Sequence, residues 1–313
     1  MSAPTAPAPP TPAPPTPAPA ARGDGPVLRF VKEFVESPIA VVGLVVFLAI
    51  VLSAVFAPFI SPQNPFDLGQ IDIMDGRLPP GAESGDGKIV FHLGTDDQGR
   101  DMVSAILYGL RTSLMVGASS AILALALGTA VGLVAAYAGG AVDAIAMRVV
   151  DIQLSFPAIL IALILIAVLG KGVDKVIIAL VTVQWAYYAR TVRGSALAEM
   201  GREYIEAAKS LALPRWRVIV RHLLPNCLPP LIVVATVQIA NAVALEATLS
   251  FLGLGVPITE PSLGLLISNG FQYMLSGRYW ISFFPGIALL VTIVSINLVG
   301  DHLRDILNPR LKR

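Results

Sequence analysis

Glu203, Glu206 and Lys209 recur at three-residue steps in a charged segment, Arg202 to Asn226, that separates two long apolar stretches. Side chains three apart on a helix are neighbours, so the segment presents one charged helical face beside a small apolar patch of Ala207, Ala208, Leu211 and Ala212. The chemistry of such a surface is recognition, with a partner's groove receiving the small residues. An amphipathic helix lying on lipid headgroups has the same pattern, and the residues alone leave both readings open.

A second set lies in the apolar run that follows. Glu246 is an acid among hydrophobic residues, where ionisable groups default to functional candidates because their burial in a membrane is costly. Gln238, Asn241 and Thr248 fall on one face of the same helix at 100° per residue. This face either borders a translocation path, with Glu246 near its outer gate, or bonds to a neighbouring helix. Ala124, Gly128, Gly132 and Ala136 recur every four residues and let two helix backbones approach closely, within this chain or against a second one.

Other chemistries find less support. Asp96, Asp97 and Asp101 lack the alternating ligands and turn glycine of a calcium loop and read as acids favoured at a helix N-terminus. Ser119, Ser120, Ser155 and His222 would be available to a membrane-embedded hydrolase, but no G-x-S-x-G elbow occurs. The histidines His92, His222 and His302 are far apart, and the single cysteine, Cys227, opens an apolar run as a small hydrophobe. No cofactor or metal bound by this chain is expected. No G-x-x-x-x-G-K-[ST] loop occurs, since Gly170-Lys171 lacks the upstream glycine, so any ATP must be handled by a partner.

The elements that must position these residues are membrane helices. The chain is 55% hydrophobic and 14% charged, against roughly 25% charged residues in soluble domains. Continuous apolar runs point to an all-α membrane protein and away from a barrel, and no basic, aromatic-interleaved patch suggests nucleic acid. Residues 1–30 form a Pro/Ala-rich tail expected to be disordered. A first span over 31–60 has Ser37 as N-cap and Pro38 at the first helical position, and Pro58 and Pro62 end it. The polar segment 61–111 carries eight acids and four bases. Within it Thr95-Asp96-Asp97-Gln98 reads as a capping box, so a helix is expected from about Asp96, lying along the membrane before the next span.

Further spans are expected over 113–137, 152–169, 173–188, 228–254 and 281–299, giving six. The stretch Ala189–Asn226 holds seven bases against three acids, and both termini are basic, through Arg22, Arg29 and Lys32 at one end and Arg304, Arg310, Lys312 and Arg313 at the other. These three regions share one side of a six-span arrangement, which the positive-inside rule makes cytoplasmic. Segment 61–111 then faces outward. The core runs over 112–303 and a basic tail over 304–313. Pro214 and Pro225 bracket a second short helix, Trp216 to Leu224, in the charged segment.

The string Glu206-Ala207-Ala208, a small residue at Ala212, and Leu224-Pro225 resembles the cytoplasmic coupling loop, here 196–226, of ATP-binding-cassette importer permeases. The stretches HLGTDDQGRDMVSAILYGLRTSL, YAGGAVDAIAMRVVDIQLSFPAIL, EATLSFLGLGVP and GDHLRDILNPRLKR resemble, in order, the C-type permease of dipeptide and oligopeptide transporters. The resemblance implies a type I importer permease fold of six transmembrane helices, with Glu203, Glu206, Ala207, Ala208, Leu211 and Ala212 docking on an ATPase. It implies a multi-pass inner-membrane subunit, not itself an enzyme, with cytoplasmic termini. Its partners would be a dissimilar second permease, two ATPase subunits holding ATP and Mg, an external substrate-binding protein and membrane lipid. The family usually has Gly where Ala212 stands; if that position needs a positive φ, alanine costs about 1 kcal/mol. The rival transporter class, a self-sufficient secondary transporter, would show inverted repeats and midplane acids, and neither is found.

Overall fold

The computed structural model describes residues 25–67 and 69–307. Most of the Pro/Ala-rich stretch, together with Arg22, Arg310, Lys312 and Arg313, lies outside the described residues. Residues 26–30, which the expected tail included, belong to helix α1 (Pro26–Val35), which begins at a proline suited to a first turn. Helix α2 (Pro38–Val55) follows, with Ser37 Oγ accepting the Ala40 N–H, and after it comes the short α3 (Ala57–Ile60). The first span thus starts and stops where its cap and prolines place it.

Residues 61–101 form a compact polar segment containing one antiparallel pair, β1 (Ala82–Glu83) and β2 (Val90–Phe91). The expected helix start at Asp96 is wrong. Asp96 Oδ1 accepts the N–H groups of Gln98 and Arg100, and its Oδ2 meets Arg100 Nε at 2.6 Å. Gly99, at φ +84°, closes this turn so tightly that a Cβ there would lie 2.0 Å from the Asp72 carbonyl oxygen. Five residues later Asp101 is the true N-cap, its Oδ2 accepting from Ser104 N at 2.7 Å, and helix α4 runs unbroken over Met102–Ala138. The polar segment therefore ends at residue 101, not 111, and no separate interfacial helix precedes the span. The Asp96–Arg100 pair is fully buried, and Trp280 Nε1 donates to the Thr95 carbonyl at 3.2 Å.

Helices α5 (Gly140–Ser155) and α6 (Ala158–Leu169) replace the single third span expected over 152–169, and they are bent by 92°. The residue before a proline is pushed out of the helical region; Phe156, before Pro157, is extended at φ −96°, ψ 143°. Helix α7 (Val173–Met200) runs well past the expected 188. After α8 (Glu203–Ser210), the three-residue α9 (Arg215–Arg217) passes through a π turn (Val218–Leu223) into α10 (Leu224–Phe251). The short helix expected to stop before Pro225 instead joins α10 in one run. The π turn bonds across five residues, Leu224 N to Ile219 O, and gives the Pro225 ring room that an α turn denies. Helices α11 (Leu263–Phe271) and α12 (Trp280–Leu307) complete the bundle.

Among the described residues four helical runs are long and apolar enough to cross a membrane: α2, α4, the run Arg215–Phe251, and α12. The bent pair α5–α6 makes a fifth if it counts as one span. The expected fourth span, α7, is not among them on composition. It carries Gln184 on a buried face, and its Arg190 and Arg193 are paired with Asp151 and Asp143 of α5. Val176, Ala179, Leu180, Val183, Gln184 and Ala186 are all buried against its neighbours, and Arg193 forms a two-pronged pair with Asp143 of α5.

The small-residue stripe of α4 packs inside this chain. A Cβ on Gly128 would lie 2.3 Å from the Trp185 carbonyl oxygen and 2.6 Å from Tyr188 Cβ, and one on Gly132 would lie 2.6 Å from the Ala189 oxygen. Ala124 and Ala136 join Tyr188, Val192 and Ala196 in the largest apolar cluster. At one end of the bundle the start of α10 meets the end of α12, where a Cβ on Gly300 would touch Thr236. His302 there approaches the Glu33 carbonyl and the Phe34 ring of the first segment.

Two variants test this packing. Gly128→Ala, which sets a methyl against backbone that cannot rotate away, should destabilise the solubilised chain by about 1–3 kcal/mol, read as a lowered thermal midpoint. Asp97, in the polar segment 61–101, has its carboxyl pushed up by burial and by the Asp96 charge, and its Oδ1 has no hydrogen-bond partner among the described residues. A raised carboxyl burdens the fold above its folded pKa and stops doing so as pH falls through that value. Asp97→Asn should therefore raise the thermal midpoint at neutral pH, and the gain should shrink on acidification.

Candidate functional site

Helix α8 stands on the end of the bundle, fastened by one face. Ile205 and Ala208 are buried in the same cluster as Tyr188, Val192, Val218 and Leu223, so α8 packs on α7 and the π turn and shares a core with α4 and α10. The opposite face is free. Glu203, Glu206, Ala207 and Ala212 are exposed, as is Leu211 at 75%. This corrects the expected docking patch by one residue: Ala208 faces the bundle, because one of every three or four positions of an anchored helix must supply the buried face. Glu203 and Glu206 occupy the first turn, where the helix dipole favours acids.

Ala212 sits at φ +52°, in the left-handed region. Leu213 N bonds to the Ala208 carbonyl at 3.3 Å, a six-residue closure characteristic of a Schellman end. Leu213 then packs on the cluster that holds Ala208. The turn keeps its left-handed geometry and alanine bears the strain, about 1 kcal/mol.

The second set of predicted residues divides in two. Glu246 is fully buried; its Oε2 accepts from Ser113 Oγ at 2.6 Å and its Oε1 from Ser250 Oγ at 2.7 Å. It clamps α10 to α4 and borders none of the cavities described below. Of the two expected settings, the bond to a neighbouring helix is the one its contacts form. Gln238, Asn241 and Thr248 share a cavity of about 320 Å³ with Gln184 and Tyr187 of α7. Asn241 Nδ2 donates to Gln238 Oε1 at 2.8 Å, and Gln184 Nε2 donates to the Gln238 carbonyl at 3.2 Å. Tyr187, Gln238 and Asn241 also border a second cavity of about 650 Å³, which extends past Pro229 and Pro230 to Asp301 and Arg304. The polar face of α10 thus borders two adjoining cavities, the larger of which reaches the start of α10 and the end of α12.

Nothing here assembles a hydrolytic centre. Ser119, Ser120 and Ser155 each donate to a carbonyl of their own helix. Among the described residues no three His, Cys, Asp or Glu side chains are placed to hold a metal ion.

Residues 128–313 match the profile of the binding-protein-dependent transport system inner membrane component. The chain belongs to this family. Residues 25–80 further match the N-terminal transmembrane domain of oligopeptide transport permease C. A putative peptide transport system permease of Brucella suis biovar 1 is 40% identical, over 93% of this chain and 94% of its own length. The di/tripeptide transport system permease of Pseudomonas aeruginosa is 35% identical over 92% and 93%. In fold, the chain is similar to the methionine ABC transporter MetNI in an inward-facing crystal form, with a TM-score of 0.55 at 21% identity, covering 66% of this chain and 98% of that one. The protein is accordingly a membrane permease subunit of an importer with the type I permease fold, and not an enzyme.

For this permease, two residues lining the smaller cavity escaped the sequence reading. Gln184 lies inside the expected span 173–188, where a buried amide is itself a signal. Tyr187, three residues on, had no distinguishing pattern. Ala212→Gly should relieve the strained turn and raise the thermal midpoint, whereas Ala212→Val should lower it, since a β-branched residue resists a positive φ.

Proposed function

We propose that this permease subunit carries small peptides into the cytoplasm by alternating access, driven by ATP hydrolysis on partner subunits. The observation that carries the reading is the construction of α8. Its outer face, Glu203, Glu206, Ala207 and Leu211, is free for a partner, while its inner face, Ile205 and Ala208, is continuous with the core of α4, α7 and α10. A force applied to the outer face therefore reaches the passage-lining helices as a rigid displacement.

The peptide substrate is supported by the relatives, whose names specify peptides, dipeptides or di/tripeptides. On this reading two ATPase subunits hold ATP and Mg and receive α8, a dissimilar second permease closes the other half of the passage, and an external binding protein delivers substrate. The termini and the α8 segment face the cytoplasm, in keeping with their excess of bases, and residues 61–101 face outward. Gln238, Asn241 and Thr248 border the path.

The test is purification of the tagged chain from its native membranes in mild detergent, with mass spectrometry of what accompanies it. One dissimilar permease and two ATPases should be recovered, and Glu206→Arg should lose the ATPases while keeping the second permease. Recovery of the chain alone, or only with copies of itself, would overturn the reading.

A further inference from the structure

Two of the three amides on the α7–α10 wall are almost wholly buried, Gln184 at 1% exposure and Gln238 at 4%, whereas Asn241 is exposed. They are chained together: Gln184 Nε2 reaches the Gln238 carbonyl, and Asn241 Nδ2 reaches Gln238 Oε1. The chain is incomplete at one atom. Gln184 Oε1 is buried and accepts no hydrogen bond from the described residues. A buried acceptor left in that state costs about 1–3 kcal/mol, which makes it a poor choice for packing alone.

The cavity these amides border has the character of a binding site. Its volume, about 320 Å³, is at the lower end of ligand pockets, about 300–1,000 Å³. The rest of its wall is mostly small or apolar, with Ala158, Val183, Ala244 and Leu245, and it contains no charged side chain. A site built this way has nothing with which to select a substrate's charged groups. It offers amide oxygens to N–H donors and amide N–H groups to carbonyl oxygens.

We propose that Gln184, Gln238 and Asn241 form a main-chain amide site within the translocation path, holding a peptide through its backbone whatever its side chains. The proposal rests on the peptide-permease reading above. Gln184 Oε1 accepts one peptide N–H. Asn241, exposed on the cavity wall, accepts a second through Oδ1. The Asn241 Nδ2 hydrogen not given to Gln238 is directed to a peptide carbonyl. Gln238 orients the other two amides. Specificity for the backbone follows from what the wall lacks, so peptides of differing side chains meet the same three groups.

The experiment uses the assembled transporter with its binding protein in sealed vesicles, offered tri-alanine and tri-alanine N-methylated at both peptide nitrogens. N-methylation removes the donors and keeps the carbonyls. Any preference of the binding protein cancels when permease variants are compared. In the unaltered transporter the parent peptide should enter faster. The ratio of the two uptake rates should fall by about fivefold in Gln184→Met and in Asn241→Leu, the weight of one hydrogen bond. An unchanged ratio in both variants overturns the proposal. If Gln184→Met fails to assemble, Asn241→Leu, whose side chain is exposed, decides alone.

Thr248→Trp, which fills the same cavity without removing an amide, separates the two levels of inference. If it stops uptake while the ratios of the other variants stay unchanged, the path stands and the amide site falls. Undiminished uptake in Thr248→Trp, or no tripeptide uptake by the unaltered transporter, removes the path or the peptide reading, and the amide site with it.

Discussion

The close approach of α4 and α7 organises the bundle. Helix–helix association in a membrane gains little from water exclusion and depends on packing and hydrogen bonds. Gly128 and Gly132 let the two backbones meet where no Cβ fits, and this brings the Tyr188, Val192 and Ala196 side of α7 into the cluster that also holds Ile205 and Ala208 of α8. Enclosing α7 lets it carry Gln184 buried and Arg193 paired with Asp143. The amide-lined cavity and the anchored α8 both depend on this glycine-mediated contact.

Buried acids are handled in two ways. In the polar segment, Asp96 is met by three donors from Gln98 and Arg100, and this pair fixes the turn that precedes α4. Deeper in the bundle, Glu246 is met by serines of α4 and α10 rather than by a cation. Both acids hold elements together and stand apart from the smaller cavity, which is lined by neutral amides, an aromatic, a threonine and aliphatic groups. Acidity in a membrane helix marked a residue of consequence here, but the consequence is architectural.

Features that depend on adjacent residues were legible in the sequence. Ser37-Pro38 marks the start of α2, and the four-residue recurrence of Ala124, Gly128, Gly132 and Ala136 marks a close helix contact. The charged segment between apolar runs announces α8. What escaped depends on residues distant in sequence. The apparent capping box at Thr95 is overridden by Gly99, which a Cβ would drive into Asp72, twenty-seven residues away. The angular position of Glu246 could be reckoned along its helix, but nothing in the period says that Ser113 lies opposite. Likewise Ala207 and Ala208 are indistinguishable as letters, and only the anchoring of Ile205 decides which of them faces out. Ala212 shows the converse, a strained backbone kept because the Leu213–Ala208 closure demands it.

The π turn over Val218–Leu223 sets the phase between the α8 segment and the span beyond it. A π turn takes up one residue more than an α turn, so every residue on its far side is offset by about 100° around the axis and about 1.5 Å along it. With this offset Val218, Leu223, Cys227 and Leu231 all point into one cluster while the amide face of α10 remains turned to the cavity it shares with α7. The azimuth of the Val218–Leu231 face is therefore tied to that of Gln238 and Asn241 by the winding of a single turn, as the teeth of two gears are tied by the key on their common shaft.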